Sequence, residues 1–158
     1  MLVLLFYLGD VMYTIECQHV REIAPMVTLK ELPRAPEFFA GFFNYRGMIA
    51  PVIDLRRLIH GVPCQMRLST RILLIDYLQR DSAPSVYGLI AERVTEAAKK
   101  LKQEFITPDV KMQEAPYLGS MIMEEDRMIH HVDVKKLTEH LSFLHTIETR
   151  MVHASNDD

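Results

Sequence analysis

The sequence predicts an all-β fold, arranged as small barrels or a sandwich and followed by one C-terminal helix. Short apolar runs recur along the chain, and turns containing Gly, Pro or charged residues separate them. The first two runs, Val3–Leu8 and Val11–Cys17, flank Gly9-Asp10 and predict a hairpin. Near the end, apolar residues from Val134 to Ile147 recur at spacings of three and four, which is typical of an amphipathic helix. This order of elements argues against a parallel α/β sheet.

Further strands are predicted through the middle and the last third of the chain. Their ranges are Gly41–Tyr45, Met48–Leu55, Thr70–Leu78, Val86–Ala91, Arg93–Ala98, Tyr117–Met123 and Met128–Val134. Pro51 lies inside one of them and predicts an edge strand or a bulge, because proline cannot donate to a β-ladder. Lys99–Pro116 predicts a long loop. Asp54 and Asp133 precede helical turns, so we expect them to cap helices rather than to act in catalysis.

Length, charge and cysteine content exclude several classes of protein. The 158 residues fit one domain, and the net charge of −3 gives no general attraction to nucleic acid or to anionic lipid. The two cysteines, Cys17 and Cys64, form no CxxC pair and indicate a reducing compartment. No apolar run reaches the length that inserts into a membrane. We therefore expect a cytoplasmic protein, with residues 149–158 as a disordered tail.

No motif predicts a catalytic centre, a cofactor site or a metal site. The chain has no GxSxG, no GxGxxG and no Walker-type phosphate loop. Its seven histidines show no metal-ligand spacing, and the adjacent pair His130-His131 in a strand would point to opposite faces. A small metal-binding or enzymatic module that uses histidines is the alternative hypothesis. The ten methionines are consistent with a hydrophobic core and also with an adaptable binding groove, so they do not decide between the two.

Three segments, in order, resemble the CheW family of coupling proteins. The first is LLFYLGDVMYTIECQHVREI, from Leu4 to Ile23, and the second is LPRAPEFFAGFFNYRGMIAPVIDLRRLI, from Leu32 to Ile59. The third begins at Thr70 with TRILLIDY, continues through YGLIAERVTEA and ends with RMIHHVDVKKL. The middle segment is the most specific, because its Pro, Gly, Asn-x-Arg-Gly and Pro-Val-x-Asp-Leu-Arg positions all follow the family pattern. The resemblance extends over residues 3–144.

The residues of the middle segment suggest a shaped surface without an acid–base pair. Gly41 and Gly47 are suited to turns or close backbone approaches, and Asn44 can bond to the local backbone. Arg46 lies at a predicted turn, where its planar fork of donors can engage a carboxylate or carbonyl of a partner. We expect Gly41 and Gly47 to shape a β corner, which is a sharp change of direction of the chain, and Arg46 to contact a partner protein.

The resemblance implies a fold, a function and a set of contact residues. The implied fold is two intertwined five-stranded SH3-like barrels with a C-terminal helix, spanning residues 1–148. The implied function is a non-enzymatic adaptor, without a required cofactor, that couples the cytoplasmic tips of methyl-accepting chemoreceptors to the regulatory domain of a CheA-type histidine kinase. An adaptor that sequesters receptors without activating the kinase is a further alternative. The implied receptor- and kinase-binding groove uses Val20, Glu22, Gly41, Asn44, Arg46, Ile72 and Leu73.

Several positions depart from the family pattern. Tyr45 stands where leucine is usual, and His130 and His131 replace aliphatic residues in the last strand. The compact start and the Tyr-Arg-Gly variant are similar to the adaptors of Wsp-type surface-sensing pathways, whose output is a diguanylate cyclase response regulator. The identity of the cognate receptor and kinase is therefore left open.

Overall fold

The computed structural model describes residues 1–78, 83–95, 97–108 and 114–141, which form eleven strands, two short α-helices and three 3-10 helices. The α-helices are α1, Leu55–His60, and α2, Val134–His140. The 3-10 helices are Cys17–His19, Lys102–Glu104 and Pro116–Leu118. The strands are β1 Leu2–Leu8, β2 Val11–Glu16, β3 Val20–Pro25, β4 Phe39–Tyr45, β5 Met48–Asp54, β6 Arg71–Leu78, β7 Pro84–Ala91, β8 Ala97–Lys99, β9 Phe105–Ile106, β10 Ser120–Glu124 and β11 Arg127–Val132.

The strands form two sheets whose segments are interleaved along the chain. The first sheet has six strands in the order β8-β1-β2-β11-β10-β9, and the second has five in the order β3-β6-β7-β5-β4. The chain starts in the first sheet, builds the whole second sheet and then returns. Two pairings, β2 with β11 and β5 with β7, are parallel, and the others are antiparallel. The predicted all-β fold is confirmed, although the first sheet gains a sixth, short strand.

One hydrophobic core joins the two sheets. Phe6 and Ile15 from the first sheet, Leu73 and Leu89 from the second, and Leu137 from α2 are all fully buried in the same cluster. Burying each such side chain contributes about 1.5–3 kcal/mol. Tyr7 and Glu92 also join β1 to the end of β7 through two backbone hydrogen bonds, of 2.8 and 3.0 Å. The barrels are therefore not independent domains.

Three predictions about strands need correction. Strand β5 is interior rather than at an edge, but its pairing with β7 starts only at Val52, so Pro51 is tolerated because it faces β4 alone. The predicted strand Arg93–Ala98 starts too early, because Arg93 has a φ of 42° and β8 begins only at Ala97. The predicted loop Lys99–Pro116 contains a 3-10 helix and β9.

Both helix caps were predicted correctly. Asp54 Oδ1 accepts a hydrogen bond of 3.0 Å from the backbone N–H of Arg57, and Asp133 Oδ1 accepts one of 3.0 Å from that of Lys136. Helix α2 confirms the start of the predicted C-terminal helix. Its predicted continuation beyond Leu141 and the predicted tail lie outside the described residues. In the described part of the chain, no helix is long and apolar enough to cross a membrane.

Candidate interaction site

The β4–β5 hairpin presents Arg46 at its tip. Tyr45 pairs with Met48, which leaves Arg46 and Gly47 as a two-residue turn with φ values of 49° and 87°. Both positive values match the turn type that suits the twist of a hairpin. The backbone N–H of Gly47 donates a 2.8 Å hydrogen bond to Asn44 Oδ1, which fixes the turn. As predicted, Arg46 projects from a turn, and its side chain is 74% exposed.

Glu22 connects this hairpin to the opposite edge of the second sheet. The Tyr45 hydroxyl donates a hydrogen bond to Glu22 Oε2, and Arg46 Nη2 lies 3.5 Å from the same oxygen. The Arg46 guanidinium also lies 5.4 Å from the centre of the Tyr45 ring. Strands β3 and β4, which carry these residues, are the two outermost strands of the sheet. The contact therefore links the two edges of the second sheet.

The hydrogen bond to Glu22 determines the protonation state of the Tyr45 hydroxyl. The bond to Glu22, followed by burial, raises the pKa of the Tyr45 hydroxyl, so the group stays a protonated donor at neutral pH. The ring itself is buried and packs edge-on against Phe43, with ring centres 6.3 Å apart. Sequence reasoning treated Tyr45 only as a departure from a pattern and missed its role in holding Glu22.

Gly41 has a structural role. Its φ is 140°, and a Cβ atom there would lie 2.6 Å from the Lys30 carbonyl oxygen and 2.8 Å from the Leu29 Cβ. The chain approaches so closely because Lys30 and Phe42 exchange backbone hydrogen bonds of 2.9 and 2.8 Å along the outer edge of β4. The close approach of the chain at Leu29 and Lys30 to Gly41 agrees with the prediction that this glycine has a structural role in the β corner.

Two of the seven predicted contact residues lie in the core. Ile72 and Leu73 are both 0% exposed in β6, where four consecutive residues are buried on both faces. Neither side chain can touch a partner while the sheet is closed, which corrects the expectation that they line a groove. Val20 is half-buried and packs against the core. Glu22, Asn44 and Arg46 thus form the accessible part of the predicted set.

Exposed apolar side chains accompany this accessible part. Ile23 and Val27, in and after β3, and Ile49, in β5, are each between 40% and 44% exposed. Ile23 is the neighbour of Glu22, and Ile49 pairs with Asn44 across the hairpin. Because neighbouring side chains of a strand point to opposite faces, Ile23 points away from Glu22, whereas Ile49 shares a face with Asn44. We call Glu22, Asn44, Arg46 and Ile49 the hairpin surface.

The structure brings together histidines that looked unrelated in the sequence. His60 Nε2 lies 2.9 Å from the Tyr13 hydroxyl, and the His130 ring lies 5.5 Å from the Tyr13 ring. His131 Nδ1 lies 2.9 Å from Thr14 Oγ1 inside the first sheet. Burial lowers the pKa of all three imidazoles. Within the four described ranges, no three His, Cys, Asp or Glu residues are grouped to hold a metal.

Comparisons with known proteins agree with this architecture. The CheW-like domain family matches residues 2–142, which is nearly the whole chain. The chain belongs to the CheW-like domain family. It is 29% identical over 143 residues to the chemotaxis protein CheW of Klebsiella aerogenes, covering 85% of this chain and 79% of that protein. It is 31% identical over 104 residues to CheW of Helicobacter pylori, covering 65% and 59% respectively.

A solved CheW structure shares the fold. The scaffolding protein TtCheW from Thermoanaerobacter tengcongensis superposes with a TM-score of 0.71 at 25% identity, covering 83% of this chain and 82% of that one. The two sheets are therefore the SH3-like barrels of a CheW-like domain. Family membership confirms the prediction of a non-enzymatic adaptor of the chemotaxis type.

Proposed function

We propose that this CheW-like chain couples the cytoplasmic tip of a methyl-accepting chemoreceptor to the regulatory domain of a CheA-type histidine kinase, and that it does so in the cytoplasm. The observation that carries the proposal is the hairpin surface, which is held in place by the Tyr45–Glu22 hydrogen bond at the closure of the second barrel. Family membership supports the general role of an adaptor.

The hairpin surface has the chemistry to bind a helical partner. Ile49 supplies exposed apolar area, which suits the apolar face of a helix. Arg46 supplies a largely exposed guanidinium fork, which can bind a carboxylate or a helix-terminal carbonyl. Its ion pair with Glu22 is long and solvent-exposed, so it contributes little to stability and leaves donors for a partner.

A reconstituted binding assay tests the proposal. The wild-type chain should recover a CheA-type kinase and a receptor signalling tip, and Arg46→Glu should weaken at least one of the two complexes roughly tenfold or more, because it places a like charge against the partner carboxylate. Arg127→Glu is a matched control, since Arg127 is an exposed arginine at the β10–β11 hairpin of the other sheet. If the wild type binds neither partner, the proposed function is wrong.

The variant Glu22→Gln separates partner contact by Arg46 from its internal ion pair. It removes the charge that pairs with Arg46 but keeps an oxygen that can accept the hydrogen bond from Tyr45. If Arg46 serves only to pair with Glu22, Glu22→Gln should weaken binding as much as Arg46→Glu does. If Arg46 contacts the partner, as proposed, Glu22→Gln should bind more tightly than Arg46→Glu. Kinase phosphorylation in the same assay distinguishes an activating adaptor, with raised activity, from one that only sequesters receptors.

A further inference from the structure

A polar cavity of about 250 Å³ lies at the junction of the two sheets, away from the hairpin surface. Four segments meet there: the β1–β2 turn, helix α1, the loop that precedes β6 and the residues that follow β7. Three arginines and two carboxylates line it, which gives its wall an excess of positive charge. The residues that matter for its chemistry are Gly9, Arg56, Arg67, Ser69, Glu92 and Arg93.

The buried carboxylate of Glu92 in this cavity is already hydrogen-bonded and ion-paired within the protein. Glu92 Oε1 accepts a 2.6 Å hydrogen bond from the backbone N–H of Gly9, and Oε2 accepts one of 3.0 Å from that of Gln65. Arg56 Nη1 lies 3.3 Å from one carboxylate oxygen and 3.4 Å from the other. The negative charge of Glu92 is therefore balanced within the wall.

The two remaining guanidinium groups differ in how far their charge is balanced. Arg93 donates a 2.6 Å hydrogen bond to the Gly9 carbonyl, lies 3.7 Å from the fully exposed carboxylate of Asp10 and packs over the Tyr7 ring, 4.1 Å from its centre. Arg67 donates a 2.6 Å hydrogen bond to the neutral side chain of Gln65, and it pairs with no carboxylate among the described residues. An unpaired guanidinium on the wall of a concave polar site attracts anions.

A buried donor at the same place also lacks an acceptor. Arg56 Nε is buried and has no hydrogen-bond partner in the described part of the chain. Unpaired buried donors are uncommon, and each one calls for a physical reason. The neighbouring Gly9 leaves room beside that donor, because a Cβ atom there would lie 3.4 Å from Nε and 3.0 Å from Nη2 of Arg56.

The loop that carries Arg67 is fixed before any ligand arrives. Thr70 Oγ1 donates a 2.6 Å hydrogen bond to the Gln65 carbonyl and accepts one of 3.1 Å from the backbone N–H of Arg67. The Gln65 N–H is held by Glu92 at 3.0 Å. These bonds hold the backbone of the loop, so little backbone freedom is lost when a ligand binds there.

We propose that this cavity binds a small oxyanion, with the Arg67 and Arg93 guanidinium groups as its main donors. The volume lies below the roughly 300–1,000 Å³ of pockets for drug-sized ligands, which fits a single phosphate or carboxylate group. Guanidinium forks match both groups through paired hydrogen bonds. The bound ion would bridge segments that belong to different sheets, so it would stabilise their junction.

Titration of the 158-residue chain with inorganic phosphate tests this proposal without any protein partner. Calorimetry and amide NMR at constant ionic strength should show saturable binding, with shifts at Gly9, Gln65 and Ser69. Arg67→Gln should weaken binding roughly tenfold or more, because it removes a charge-assisted donor. Arg127→Gln, the distant matched control, should bind as the wild type does. The melting temperature of the wild type should rise with phosphate concentration.

A parallel titration with acetate identifies the class of oxyanion. Tighter binding of phosphate indicates a phosphate site, whereas tighter binding of acetate indicates a carboxylate site, and both outcomes support the cavity. If Arg67→Gln proves unstable, Arg93→Lys provides a second variant, since it keeps the charge but loses the fork and should also weaken binding. Absence of saturable binding of either ion would overturn the proposal. Binding that both variants leave unchanged would overturn it equally.

Discussion

The Tyr45 hydroxyl donates a hydrogen bond to Glu22 and thereby joins β4 to β3, the two strands at opposite edges of the five-stranded sheet. Arg46 reaches the same oxygen only at 3.5 Å and from an exposed position, so the Tyr45 hydroxyl makes the closer of the two contacts. The hydrogen bond thus links the two edges of the second barrel directly beside the hairpin surface.

Tyr45→Phe should destabilise the fold by about 1 kcal/mol, because it removes the hydrogen bond to Glu22 while it keeps the buried ring. Urea denaturation measures the free energy of unfolding. In a double-mutant cycle with Glu22→Gln, the two losses should be less than additive, since both substitutions weaken the same contact. Strictly additive losses would show that the two side chains are not coupled.

Gly41→Ala should destabilise the protein by about 2 kcal/mol or more, because the new Cβ meets the Lys30 carbonyl oxygen at 2.6 Å. Gly47→Ala is the matched control. Its φ is also positive, at 87°, but nothing lies within 4 Å of the added Cβ, so we expect about 1 kcal/mol from backbone strain alone. Equal losses in urea denaturation would contradict the close approach as the cause.

The protein should lose stability as the pH falls below about 6.5, the ordinary pKa of histidine. Burial lowers the pKa of His60, His130 and His131 in the folded state, so the unfolded chain binds protons that the folded chain resists. This destabilisation is absent above the unfolded pKa and grows until the pH reaches the lowered folded pKa values. Urea midpoints between pH 8 and pH 5.5 measure it.

The variant His131→Asn should reduce that pH dependence. His131 is buried against Thr14 and Phe105, and the carboxylates of Glu16 and Asp133 oppose its pKa shift without overcoming it. A wild-type stability that is flat between pH 7.5 and pH 5.5 would contradict the burial of neutral imidazoles.

The two cysteines should differ in reactivity in the folded protein. Cys64 is buried and its thiol lies 3.5 Å from the Ile90 carbonyl oxygen, and burial, followed by the nearby Asp54 carboxylate, raises its pKa. Cys17 is only partly buried. A thiol reagent such as DTNB should therefore modify one cysteine in the native state and the second only after unfolding. Cys17→Ser should abolish the native reaction, and a rapid reaction that persists would assign it to Cys64.

Local sequence patterns predicted the parts of this structure that depend on neighbouring residues. The Asn44–Gly47 turn and the caps at Asp54 and Asp133 were predicted because each involves residues within three positions. The family resemblance supplied the two interleaved barrels. The proposed contacts of the hairpin surface, the cognate receptor and kinase, and the output pathway stay predictions.

Contacts between distant segments could not be predicted from the sequence. Glu22 and Tyr45 are 23 positions apart, and no periodic pattern indicates that the two edge strands meet. The oxyanion cavity gathers four separate segments for the same reason. The family resemblance alone suggested Ile72 and Leu73 as contacts, and a strand buried on both faces shows no alternation from which their burial could have been predicted.

The parallel pairing of β2 with β11 has a consequence for how the chain reaches this structure. Thr14 and His131 are hydrogen-bonded across 117 positions, so the first sheet cannot form its centre until most of the chain has been synthesised. The second sheet needs only residues 20–91. During synthesis on the ribosome, we expect the second barrel to assemble first. Until β11 has been synthesised, the edge of β2 in the β1–β2 hairpin remains unpaired. Non-local strand pairing of this kind is slow, and an unpaired strand edge is prone to aggregation until it is covered.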